Sequence, residues 1–153
     1  MNDPNDPNDP NGPNDPNDPN DPNDLVVRID TIEEAYEFML AYAAQGVSGE
    51  AGRQTGGQIR EFLTRAAAAL NGLGDLYFSM ISENPEPRYR AFGAVLDRDA
   101  RDSLAAVDLV LAQPAISSAL VDNLNASIHL RALLTDLFLI DELFKTHGHT
   151  TES

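Results

Sequence analysis

The sequence predicts an all-α protein: a four-helix up-and-down bundle with a disordered N-terminal repeat tail. Three observations carry that expectation. No stretch after Arg28 alternates apolar and polar residues as a half-buried strand would. Apolar residues recur instead at steps of three and four in four separate stretches. Gly- or Pro-rich punctuation at residues 46–57, 84–87 and 113–114 divides those stretches, leaving the short connections that such bundles use.

Composition bounds the function. A chain of 153 residues favours one domain with a moderate core. The formal charge is −15. Seven Asp and no basic residue fall in the first 24 positions, so residues 25–153 carry 18 acidic against 10 basic groups, a balance of −8. An acidic surface repels a phosphate backbone, which argues against nucleic-acid binding. With no Cys there is no disulfide framework, no thiol chemistry and no Cys-ligated metal site. No basic segment precedes an apolar one at the N-terminus, so the expected location is cytoplasmic. Outside the tail, the longest uncharged stretch is Leu109–Val121, broken by Pro114 and too short to span a bilayer.

Residues 1–24 are nearly a pure Asn-Asp-Pro repeat, with Gly12 breaking the register once. Proline at every third position removes a backbone donor and pushes its predecessor out of the helical region. With almost nothing apolar to offset the ordering entropy, the tail is expected to be disordered with polyproline II character. That conformation would align Asp3, Asp6, Asp9, Asp15, Asp18, Asp21 and Asp24 about 9 Å apart, a weak candidate row for a divalent cation. Calcium takes six to eight oxygens around one ion, and a straight rod offers about one carboxylate per turn. A solubilising spacer, held open by its own charge, is the plainer expectation.

The helical domain is expected over residues 25–146. Leu25 to Arg28 reads as a short extended lead-in. Thr31 then caps the first helix, with Glu34 completing a capping box. Ile32, Ala35, Tyr36, Met39 and Ala43 follow at helical spacing, Phe38 and Tyr42 lie on a neighbouring face, and Gly46 is the stop. Residues 46–57 read as a loop. Their glycines lack both the Gly-Lys-Ser/Thr ending of a P-loop and the Gly-x-Gly-x-x-Gly pattern, so no nucleotide site is expected.

The second helix is expected from Gln58 to Ser82. Ile59, Leu63, Ala66, Leu70, Leu73, Tyr77 and Met80 alternate steps of four and three, the seam of a left-handed bundle. Gly72 and Gly74 mark either close helix contact or a kink. A third helix runs from Pro87 to Ala112 with Phe92, Leu96, Ala100, Leu104, Val107 and Leu111 on one stripe. Its acid cluster, Asp97 to Asp102, pairs with Arg98 and Arg101 at i,i+4 spacing and reads as a solvated face. The last helix is expected from Pro114 to about Lys145. Ile116, Leu120, Leu124 and Ile128 open its stripe, and from there apolar residues cover most of the circumference, as on a central or interface helix.

Within one continuous last helix, Asp122, Asn125, His129 and Asp136 would share a face and form a possible functional polar stripe. His129 invites three readings. A metal ligand would need a carboxylate or His partner at i±3 or i±4, and Asn125 is a weak one; the Glu-x-x-His signature of di-iron bundles does not occur. A phosphotransfer histidine would need exposure and nearby positive charge, and the His-x-x-Lys/Arg-Gly pattern is absent. The plainest reading is a partly buried histidine hydrogen-bonded to Asn125 or another helix. His147 and His149 fall in an expected disordered tail, 147–153, too loose for a metal site, and Asn125-Ala126-Ser127 is a sequon inside a predicted helix.

The expected function is therefore non-enzymatic: a helical interaction protein acting as a homodimer, with a basic protein as a further candidate partner and with no cofactor, catalytic residue or nucleic acid implied. Leu133, Leu137, Phe138 and Phe144 are the expected core or interface anchors. The alternatives are a phosphotransfer bundle using His129 and a cation-responsive protein using the tail Asp row.

Overall fold

The computed structural model describes residues 22–46, 52–83 and 86–152, with side chains over 24–46, 57–83 and 86–143. The described residues are all-helical, in six helices rather than four. Leu25, Ile29, Ile32, Met39 and Tyr42 recur at helical spacing and are each buried, so the chain winds into α1, Pro22–Ala44. The expected extended lead-in is the first turns of this helix. Its start moves nine residues upstream from Thr31, to a proline well suited to a first-turn position. Thr31 caps nothing: its hydroxyl donates back to the Val27 carbonyl at 2.8 Å, the usual bond of a threonine inside a helix. Asp24, expected in a polyproline row, lies in the first turn of α1 and pairs with Arg28 at 3.3 Å. The other six Asp of the row fall outside the described residues.

The second predicted helix divides into α2, Gly52–Leu70, and α3, Leu73–Met80. α2 begins six residues before the expected Gln58, within the stretch read as a loop. The break falls at Asn71–Gly72, where Gly72 takes φ +73°, a left-handed conformation that a side chain would strain. Gly74 serves the other expected purpose, close contact: a Cβ there would fall onto Asp97, 2.8 Å from its Cα. The third predicted helix is α4, Pro87–Leu111, with Pro87 in its first turn and Glu86 accepting from the Arg88 amide at 3.2 Å as N-cap.

The last predicted helix also divides, into α5, Ser118–Asn125, and α6, Ile128–Glu152. Ser117 caps α5 by accepting from the Leu120 amide at 3.1 Å, and the chain turns at Ala126–Ser127. α6 continues through residues 147–152, which sequence alone leaves in a tail. α1 packs chiefly on α2 and α5, while α4 packs on α2, α3 and α6. The core runs between them, with Ile59, Leu63, Leu73, Leu96, Leu133 and Leu137 fully enclosed. No described helix is long and apolar enough to cross a membrane.

Candidate functional site

The break before Ile128 takes the predicted polar stripe apart. Asp122 and Asn125 stand on α5, His129 and Asp136 on α6, and their environments differ. Asp122 is exposed. Asn125 is buried, and neither its side-chain oxygen nor its nitrogen has a hydrogen-bond partner. The expected bond between His129 and Asn125 is therefore not made. His129 is exposed, with Nδ1 3.8 Å from an oxygen of Asp102 on α4. A carboxylate beside the imidazole works against a phosphoryl donor, which needs positive charge at that place.

What the structure assembles instead is a polar seam between α4 and α6. Ser103, fully buried on α4, donates from its hydroxyl to the His129 carbonyl at 3.0 Å. That bond also uses a backbone acceptor in the first turn of α6. One turn of α4 earlier, Asp99 meets Asp136 of α6, so the two helices run antiparallel. Asp136 is only 6% exposed, and its Oδ2 has no partner. Its pKa is raised to about 8: burial is the largest cause, followed by the hydrogen bond to Asp99 and the repulsion of that neighbouring carboxylate. At neutral pH Asp136 thus holds a proton, and a protonated carboxyl is the form that can donate across the pair.

Asp99 is the residue that sequence reasoning missed, because it was grouped with the solvated acid cluster. The signal was present: Phe92, Leu96, Asp99 and Ser103 lie at steps of four, three and four, along the border of the apolar stripe. Asp97 and Arg101 do form the expected exposed i,i+4 pair, at 2.9 Å.

The predicted interface anchors also separate. Leu133 and Leu137 are fully enclosed within the chain itself, where the inner face of α6 joins the core. Phe138 is exposed, and the side chain of Phe144 lies outside the described residues. Ile128 at 75%, Phe138 at 57% and Leu139 at 52% exposure give α6 an apolar outer face as well. An open cleft of about 340 Å³ lies farther along the same seam, lined by Tyr77, Glu86, Arg88, Tyr89, Phe92 and Leu143. Among the described residues, no group of three or more His, Asp or Glu side chains is placed to hold a metal ion. No family model, curated protein or solved structure matches this chain.

Proposed function

We propose that this chain is a non-enzymatic association module, a bundle of four helical rods in up-and-down order, that self-associates as a homodimer through the outer face of α6. The observation that carries the reading is the exposure of Ile128, Phe138 and Leu139 on a helix whose inner face is already enclosed. Large apolar side chains grouped on one surface mark an interaction site. A second copy is the occupant that the local charges of this face favour, against the repulsion between the whole chains. Arg131 lies towards the start of this face and Glu142 towards its end. Two copies packed antiparallel about a two-fold axis bring Arg131 of each towards Glu142 of the other, with Phe138 and Leu139 near the centre.

Light scattering on the full chain over a wide concentration range tests this, beside Phe138→Glu. The expected result is a dimer for the natural sequence and a monomer for the variant, with unchanged helix content. A natural chain that stays monomeric at high concentration ends the proposal.

A further inference from the structure

Among the described residues, Asp136 is the one acidic or basic side chain that is buried. An isolated buried charge is costly, so such a group either finds a cation or keeps a proton. Asp136 faces another carboxyl, Asp99, and its Oδ2 is left without a partner. Two carboxylates in contact repel unless a proton lies between them. Nor do the neighbouring elements neutralise the pair. α5 contributes one ionisable group, the exposed Asp122. On α1, Asp24 and Arg28 pair with each other, and the other side chains charged at neutral pH are all carboxylates: Asp30, Glu33, Glu34 and Glu37. On α4, Arg101 pairs with Asp97 and Arg98 is exposed. Farther along the same seam, the Asp102 carboxylate lies 3.8 Å from the His129 imidazole.

We propose that the α4–α6 seam is a proton-locked joint: one proton shared by Asp99 and Asp136 holds α6 against α4, and its loss loosens α6. A released α6 would no longer present Ile128, Phe138 and Leu139 on a fixed surface, so the joint regulates the association face. This regulatory step rests on the self-association reading above; the joint itself does not.

The sign follows from proton binding. An ordinary aspartate in the unfolded chain titrates near pH 3.9. Asp136 in the folded chain titrates at about 8. Between those values the folded state holds a proton that the unfolded state has lost, so stability falls as pH rises through this window. Below about pH 4 the advantage is complete, because both states are protonated.

The test uses the full chain. Carbon NMR of the carboxyl groups should show Asp136 titrating near pH 8, and Asp99→Asn should move that transition to lower pH by removing the like charge. The thermal midpoint should fall between pH 5 and 9, and Asp136→Asn, a permanently neutral side chain of the same outline, should flatten that fall. Amide exchange in α6, corrected for intrinsic rates, should accelerate over the same range more than in α1. Asp136 finishing its titration below pH 5, or an Asp136→Asn variant with the natural pH slope, overturns the joint. Light scattering across the same pH range separates the two ideas. A chain monomeric at every pH with Asp136 titrating near 8 removes the association reading and leaves the joint standing. A dimer in which Asp136 titrates below 5 does the reverse.

Discussion

Single buried polar atoms distinguish a group the fold uses from one it only tolerates. Tyr42 and Asn125 illustrate the difference. The Tyr42 hydroxyl, deep in the core, donates to the Ile116 carbonyl at 2.5 Å, tying α1 to the segment that leads into α5. Asn125 is nearly as enclosed, yet both polar atoms of its amide stand alone. An unsatisfied buried polar group costs about 1–3 kcal/mol, while an apolar replacement of similar shape removes that cost. Asn125→Leu keeps the branched outline and should therefore stabilise the fold by about 1–2 kcal/mol, seen as a higher thermal midpoint. A lower midpoint would mean that the amide has a role the helix packing does not reveal. Asp136 is a different case, because its proton gives one oxygen a partner and leaves its contribution dependent on pH.

Helix ends are where elements meet, and Arg60 secures one of them. From α2 its guanidinium donates to the Leu111 carbonyl at 3.0 Å and the Gln113 carbonyl at 2.5 Å, at the C-terminal end of α4. Those carbonyls lack intrahelical partners, and a cation there also opposes the helix dipole. Arg60→Met retains much of the apolar stem and loses both bonds. It should cost about 1–2 kcal/mol in denaturant unfolding, with faster amide exchange confined to the end of α4 and the turn after it; a variant as stable as the natural chain removes this role. No such link was legible in the sequence, since a side chain reaching a carbonyl 51 positions away leaves no local pattern. Local spacing did carry the helical class, the apolar stripe of α4 and its start at Pro87, though not the Glu86 cap. It also held the true start of α1: Leu25, Ile29 and Ile32 already repeat at steps of four and three, but the capping box at Thr31 gave a competing local signal. The break at Ala126–Ser127 was hidden for the opposite reason. Neither residue strongly opposes helix, so tertiary packing decides the turn, and with it the division of the polar stripe between two helices.

For the whole molecule the governing quantity is charge. Two copies meeting through α6 must each bring a net −15, of which the Asn-Asp-Pro repeat supplies seven units. The apolar gain at the interface is local, while the repulsion is long-ranged and depends on ionic strength: the screening length falls from about 10 Å at 0.1 M salt to about 3 Å at 1 M. Self-association should therefore strengthen as sodium chloride is raised from about 0.05 to 0.5 M, the opposite of an interface held by ion pairs. Deleting residues 1–21 removes six of the seven repeat carboxylates and leaves Asp24, which is paired in α1. The shortened chain should dimerise more tightly at low salt, by several-fold in dissociation constant, and respond less to added salt. Sedimentation equilibrium on both chains at three salt concentrations measures this. If affinity falls with salt in both, Arg131 and Glu142 rather than the apolar face dominate the contact. If the two chains respond alike, the repeat's charge lies too far from the interface to matter, and its effect on assembly is nil.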